Sequence, residues 1–338
     1  MKKNIILTTL IALSSFASAS LMDDAKKAGF ASIPTDKTEL MKLIDNPKNP
    51  VTDKKVELGK ALFFEPRLSK SNLISCNTCH NLATGGVDGV SAAMGHKWTA
   101  NPHHLNSPTV YNAVFMEKQF WDGRSPDLED QAQGPMQAAP EMAISKEMAV
   151  KRIASMPAYA AQFEGAFGDN NITFKKIADA IGAFERTLVT PSKFDKFLAG
   201  DEKALSADEQ EGLKTFIDKG CAACHTGVGI GGGMQKFPLV KPYKYADVGD
   251  FKGDKDGMVK TPTLRNIVQT APYFHNGAVW SLEEAVKIMG ETQLGMELND
   301  KETKSIVIFL KALDGEMPTI TYPKLPAVTA DTPKPEAN

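Results

Sequence analysis

The sequence predicts a mainly α-helical protein of two domains, connected by long, ordered loops. Apolar side chains recur at helical spacing in several stretches, whereas little of the chain alternates with a period of two residues. The chain has 338 residues, of which 319 would remain if the first 19 were removed. Because a chain of that length exceeds one ordinary hydrophobic core, two domains are expected.

Helix starts are marked by two potential capping boxes, in which a serine and a glutamate three residues later satisfy free backbone N–H groups. One spans Ser206 to Glu209 and opens a helix that would end at Gly220; the other spans Ser281 to Glu284. Further helices are predicted at 56–64, 173–190 and 301–313. The helix at 173–190 has the pattern of a core helix rather than a site.

The N-terminus has the pattern of an export signal. Lys2 and Lys3 precede an apolar run from Ile5 to Ala12, and small residues end at Ala19. A membrane anchor is the alternative, but a span needs about 20 consecutive apolar residues, and serines interrupt this run. We expect a signal peptide at residues 1–19, cleaved near Ala19, and a periplasmic protein.

The charge of the remaining chain is mildly acidic. Removal of residues 1–19 takes away two lysines, so 37 basic side chains would face 41 acidic ones. The chain has no basic stripe and no later apolar stretch long enough to cross a bilayer. We therefore expect neither nucleic-acid binding nor a stable membrane anchor.

The cysteines carry most of the functional information, because all of them fall in two Cys-x-x-Cys pairs that are each followed at once by histidine. Two disulfides or a structural zinc site are the alternatives in an exported protein. Neither explains a histidine directly after both pairs, whereas covalent attachment of c-type haem requires it. The two motifs are Cys76, Cys79 and His80, and Cys221, Cys224 and His225.

Two attachment motifs 145 residues apart predict two cytochrome c-like domains, each binding one covalent haem c through its thiols, with the histidine as proximal iron ligand. Residues 81–112 and 226–263 are expected to be loops over the haem edges. We place an N-terminal domain at 20–190, a C-terminal domain at 191–317, on which the extreme N-terminal segment is expected to pack, and an extended or disordered tail at 318–338.

A series of further segments resembles the bacterial dihaem cytochrome c peroxidase family. In order, they are ELGKALFFEPRLS, SCNTCH, NSPTVYNAVF, FWDGR, PEM, CAACH, TPTLRNI, APYFHNG and MGETQLG. The resemblance implies reduction of hydrogen peroxide to water with electrons from a small periplasmic cytochrome c or cupredoxin. It also implies two haem c, a calcium ion and a homodimer.

The resemblance assigns the remaining iron ligands. It implies that Met289 completes the C-terminal haem, although chemistry alone does not separate it from Met296. It implies that His96 closes the N-terminal haem in the resting state, where spacing alone also allows His103 and His104.

The resemblance also implies other roles. Glu141 would be the distal acid/base group, Gln131 its hydrogen-bonding companion and Trp121 the aromatic ring between the haems. Arg265 and His275 would line the C-terminal haem, and the calcium ligands would be the side chain of Asn106 and the carbonyls of Thr270 and Pro272.

Two other functions are consistent with two haems. A MauG-like dihaem oxidase would modify a partner protein by long-range radical transfer, but such relatives have tyrosine where this chain has Met289. A non-catalytic dihaem electron carrier would leave Glu141 and Gln131 without a role. The sequence favours the peroxidase.

Overall fold

The structure is a computed structural model that describes residues 20–336, so the expected signal peptide at 1–19 lies outside the described residues. Helices dominate it, as predicted from the sequence. The helices are α1 (Leu21–Lys27), α2 (Lys37–Ile44), α3 (Asp53–Phe63), α4 (Cys76–Cys79), α5 (Leu128–Gln137), α6 (Lys146–Ala154), α7 (Pro157–Phe167), α8 (Phe174–Glu185), α9 (Lys193–Leu198), α10 (Ala207–Asp218), α11 (Leu282–Leu294) and α12 (Asp300–Lys311). Short 3₁₀ turns lie at Pro66–Leu68, Ala113–Phe115, Cys221–Ala223 and Ile267–Gln269.

One hydrophobic core lies among α3 and α5 to α8. Helices α3 and α8 approach so closely that a Cβ atom at Gly59 would lie 1.9 Å from the Ala180 carbonyl oxygen, so the position admits only glycine. Cys76 packs against this core. The core thereby fixes the position of the first haem-attachment motif.

A second core joins α1, α9, α10 and α12. Ala25 and Phe30, near the start of the described chain, belong to it, and the Phe30 ring meets that of Phe194 edge to face at 5.4 Å. In chain order, Leu188 is the last buried residue of the first core. The second core contains Ala25 and Phe30, and its next buried residue along the chain is Phe194. The N-terminal segment therefore packs with helices that come more than 160 residues later.

The first predicted capping box is confirmed. The Ser206 hydroxyl accepts a hydrogen bond from the Glu209 N–H at 3.3 Å, and the Ser206 N–H donates to the Glu209 carboxylate at 2.9 Å. Helix α10 ends at Asp218, and Gly220 then adopts a φ of 83°, which glycine reaches without strain. This turn leads directly into the second haem-attachment motif.

The second predicted capping box forms only in part. The Ser281 hydroxyl accepts from the Glu284 N–H at 3.3 Å, but the Glu284 carboxylate accepts from the Tyr245 hydroxyl at 2.8 Å instead of from the Ser281 N–H. The reciprocal bond was therefore predicted wrongly, because a tertiary partner occupies the carboxylate. Helix α11 nevertheless begins directly after Ser281.

Of the two segments predicted as loops, only the second contains regular secondary structure. Residues 81–112 contain no helix or strand. Residues 226–263, predicted as a loop, contain the strands β1 (Met234–Lys236) and β2 (Met258–Lys260), which form an antiparallel pair. The N–H of Lys260, at the end of β2, donates to the Trp121 carbonyl at 2.8 Å, so this hairpin is tied to the FWDGR segment.

Residues 318–336 contain no helix or strand, and part of this tail packs against the first core. The Tyr322 ring meets that of Phe64 at 5.2 Å, and the buried Arg152 donates to the Lys334 carbonyl at 3.1 Å. Arg152 also donates to the carbonyls of Ser69 and Lys70. The buried guanidinium of Arg152 therefore connects the tail to the segment around Ser69 by hydrogen bonds. Within residues 20–336, no helix is both long and apolar enough to cross a membrane.

Candidate haem sites and catalytic cavity

The second haem-attachment motif lines a largely apolar cavity. Cys221, Cys224 and His225 contribute to its wall, and Met289 of α11 lines the same space. Met296, the alternative from sequence chemistry, is not among the lining residues and packs against the second core. The cavity therefore brings together the thiols and both expected iron ligands of the C-terminal haem.

Burial keeps the histidines of this cavity neutral. It lowers the pKa of His225 to about 4, and it lowers the pKa of His275, which also lines the cavity, to about 4. A neutral imidazole has a free lone pair that can bind a metal. The chemistry of His225 therefore fits an iron ligand.

Arg265, expected to line the C-terminal haem, lies directly after the cavity-lining Leu264 but is not itself among the residues that line this cavity. Its guanidinium is fully buried and donates to both carboxylate oxygens of Asp195, at 2.7 and 2.8 Å. Its Nε donates to the Val228 carbonyl at 2.6 Å. Because the buried carboxylate takes both arms of the guanidinium, Arg265 stabilises the fold behind the cavity.

The first haem-attachment motif opens into a second cavity. Cys79 and His80 line it. Nδ1 of His80 lies 3.0 Å from the Pro108 carbonyl oxygen, and burial lowers the pKa of the imidazole. A neutral ring that donates Nδ1–H to a carbonyl presents the Nε2 lone pair to a metal, as metal-binding histidines in proteins generally do.

The four cysteines form no disulfides with one another. Burial raises the pKa of Cys79 to about 12 and that of Cys221 to about 11. These thiols therefore lack the low pKa typical of redox-active Cys-x-x-Cys pairs. Unpaired thiols beside a neutral histidine, at the wall of a large cavity, fit the covalent attachment of haem c.

Glu141 and Gln131 line the same cavity as His80. Gln131 projects from α5, and Glu141 sits on the turn that follows, where its N–H donates to the Ala138 carbonyl at 2.9 Å. Burial raises the pKa of the Glu141 carboxyl, and the nearby Arg124 partly opposes this. A carboxyl with a raised pKa can hold and release a proton at less acidic pH than an exposed one.

His96 does not line the His80 cavity. It is 5% exposed and lies in an adjacent pocket with Lys70 and Lys97, and its N–H donates to the Glu141 carbonyl at 2.8 Å. Its Nδ1 has no partner among the described residues. His96 therefore lies outside the cavity that His80 lines.

The other two histidines of this loop are placed differently. His103 lines the His80 cavity, but its side chain is half-exposed and pairs with Asp250 at 3.0 Å. His104 adopts a positive φ of 52° and is not among the lining residues.

Trp121 lies between the two cavities and lines both. Its indole Nε1–H donates to the Asn106 carbonyl at 2.9 Å, and its ring meets that of His275 at 6.3 Å. The side chain is 8% exposed. Its orientation is therefore fixed by both packing and a hydrogen bond.

A third, smaller cavity adjoins Trp121 and is lined by Asn106, Thr270 and Pro272. The Asn106 side chain donates through Nδ2 to the Val90 carbonyl at 2.8 Å, which leaves Oδ1 as a free acceptor. Amide and carbonyl oxygens are ligands that calcium prefers. The three residues expected to bind calcium thus share one space.

Comparison with known proteins agrees with this arrangement. A di-haem cytochrome c peroxidase model matches residues 53–203, and a cytochrome c model matches 209–314. The cytochrome c551 peroxidase of Pseudomonas aeruginosa is 45% identical over 332 residues, covering 94% of each chain. The chain belongs to the di-haem cytochrome c peroxidase family. It therefore has two cytochrome c-like domains, and the family supports two haem c.

Other members of this family are similar along most of the chain. The cytochrome c551 peroxidase of Nitrosomonas europaea is 48% identical over 286 residues, covering 82% of this chain and 85% of the relative. A MauG-like protein associated with microbial copper homeostasis has a solved structure that superposes with a TM-score of 0.71 at 28% identity, covering 80% of this chain and 93% of the other.

Two residues of the haem cavities escaped the sequence analysis. Glu185, at the end of α8, lines the His80 cavity, and burial raises its pKa to about 8. The prediction that this helix is only a core helix is therefore incomplete. The glutamate directly after Phe184, at the end of an otherwise apolar helix, was the sequence feature that could have indicated a site. Lys260 lines all three cavities. It gave no signal, because a lysine in a predicted loop is normally exposed.

Proposed function

We propose that this member of the di-haem cytochrome c peroxidase family is a periplasmic enzyme that reduces hydrogen peroxide to two waters, with electrons from a small cytochrome c or cupredoxin. The observation that supports this most directly is that His80, Gln131 and Glu141 line one cavity, while Met289 lines the other. The two cavities thus differ in their polar groups, as expected for one catalytic and one electron-transfer centre.

Haem c, when bound, supplies iron that can accept and donate single electrons. The residues supply orientation and proton transfer. We assign His80 and His225 as proximal ligands, with Cys76, Cys79, Cys221 and Cys224 as the attachment thiols. Glu141 would take a proton from one peroxide oxygen and return it to the other, which leaves as water, while Gln131 holds the peroxide by hydrogen bonding. Two electrons and two further protons balance the two waters.

Access to the N-terminal centre would be controlled by His96. Its position in the adjacent pocket leaves room for peroxide beside Glu141, whereas its return to the cavity would occupy that space. The backbone bond between His96 and Glu141 joins the two residues, so that a shift of the His96 loop also displaces the acid/base group.

Trp121 would shorten the path for electrons between the centres, because it lines both cavities. His275 would pack on the C-terminal haem. We further propose cleavage of the signal peptide near Ala19, a calcium ion bound by Asn106, Thr270 and Pro272, and a homodimer.

Replacement of Asn106 with Ala is expected to weaken calcium binding by about tenfold or more, since ligand number strongly influences calcium affinity. Titration of the chelator-treated protein with calcium, followed by calorimetry and by the haem spectrum, measures this. Asn170→Ala, at an exposed position, is the matched control. Unchanged calcium affinity in Asn106→Ala would remove this residue from the site.

The function is tested by mixing the purified protein with a reduced c-type cytochrome and hydrogen peroxide. The expected result is catalytic oxidation of two cytochromes per peroxide, with two covalent haems in the pyridine haemochrome spectrum. A plain electron carrier would show two haems but no peroxide-dependent turnover, and this result would refute the proposal. A MauG-like oxidase would oxidise a partner protein in preference to the cytochrome.

A further inference from the structure

Lys260 is a buried cation at the junction of the three cavities. Its residue is 5% exposed, and it lines the His80 cavity, the His225 cavity and the smaller cavity of Asn106. The backbone bond between Lys260 and Trp121 fixes where its side chain begins. A lysine is seldom this buried unless its charge is paired.

No described residue supplies that pair. The charge of Asp122 raises the pKa of Lys260, but Asp122 forms no hydrogen bond with it. Asp122 instead accepts from the Arg124 guanidinium at 2.8 Å. Burial consequently lowers the pKa of Lys260 to about 8. Lys260 is therefore a buried cation without a salt-bridge partner among residues 20–336, since the carboxylates that line the same cavity, Glu141 and Glu185 included, do not pair with it.

Haem c would bring an anion to this space, since it carries two propionate carboxylates. The backbone bond from Lys260 to Trp121 places Lys260 next to the segment that contains Asp122 and Arg124. These two residues line only the N-terminal of the two haem cavities, so the geometry favours the N-terminal haem as the partner of Lys260.

We propose that Nζ of Lys260 pairs with a propionate carboxylate of the N-terminal haem and raises the reduction potential of that haem. This inference rests on the proposed two-haem function. A fixed positive charge near the iron stabilises the reduced state, which carries one positive charge fewer. Lys260 and Trp121 both line the two haem cavities, so the proposed pair would lie at the junction of these cavities.

The test is a spectroelectrochemical titration of both haems in Lys260→Gln, Lys260→Arg and the wild-type holoprotein. We expect a negative shift in the midpoint potential of the N-terminal haem in Lys260→Gln, with a smaller shift at the C-terminal haem and restoration toward wild type in Lys260→Arg. Lys255→Gln is the matched control, because Lys255 lies in the same hairpin with its side chain 86% exposed.

Two results would overturn the proposal. One is an unchanged N-terminal potential in Lys260→Gln that retains both haems. If that variant fails to bind haem, a structure of the wild-type holoprotein decides: Nζ within hydrogen-bond distance of a propionate oxygen supports the pair, and Nζ bonded to Asp122 alone excludes it. Failure of the proposed function is distinguishable, since it would be seen in wild type as missing haem or missing peroxide turnover.

Discussion

Replacing Glu141 with Gln is expected to lower peroxide turnover by about 10²- to 10⁴-fold, the usual contribution of a general acid/base group. Glutamine keeps the size and the hydrogen-bonding ability of the side chain but cannot accept and return a proton. Steady-state oxidation of a reduced cytochrome by peroxide measures the loss. The haem spectrum is expected to remain that of the wild type, because Glu141 is neither an attachment residue nor an expected iron ligand.

Glu147→Gln provides the matched control, since Glu147 is an exposed glutamate six residues further along the chain. It is expected to retain wild-type turnover. Full activity in Glu141→Gln would exclude Glu141 as the acid/base group. Because burial raises the pKa of Glu141, the wild-type acid limb of kcat/KM is expected above the ordinary glutamate pKa of 4.5, since the proton-accepting form is lost on that side.

Replacing Arg265 with Met is expected to destabilise the folded protein by about 3–5 kcal/mol, the typical cost of removing one partner of a buried ion pair. The substitution would leave the Asp195 carboxylate buried, with only its bonds from the Ile33 N–H at 2.6 Å and from Ser192. It would also remove the Nε bond to the Val228 carbonyl. Denaturant unfolding followed by far-ultraviolet circular dichroism, at matched haem content, measures the change.

A surface pair provides the contrast. Lys214→Met breaks the exposed contact with Asp218 and is expected to leave the free energy of unfolding almost unchanged. Arg265→Lys keeps the charge but loses the two-armed geometry, so an intermediate cost is expected. Equal stability of Arg265→Met and wild type would show that the buried pair does not hold the second core to the segment around Val228.

The parts of the fold that sequence predicts well are those fixed by local chemistry. The capping box at Ser206 requires only residues three apart, and it correctly places the start of α10. At Ser281 the same pattern forms only half of the box, because Tyr245, some 40 residues away, takes the Glu284 carboxylate. Sequence spacing contains no information about that competing donor.

In the candidate site, too, the residues fixed by local sequence could be predicted, whereas those placed by contacts between distant segments could not. The covalent motifs fix Cys221, Cys224 and His225 in one turn, so their shared cavity could be expected. The positions of Arg265 and Lys260 depend on which buried charge lies opposite each side chain, and this is set by packing between distant segments. His96, His103 and His104 lie within one irregular loop, where spacing cannot determine which ring faces the cavity.

Each end of the described chain packs against the half of the protein that is distant from it in sequence. Phe30, from the start, is packed among helices of the second half, while Lys334, near the end, meets Arg152 in the first half. A cut of the polypeptide near residue 190 would therefore give two fragments that each lack a stretch of their own interior or surface. Each half therefore depends for part of its packing on a segment from the opposite end of the described chain.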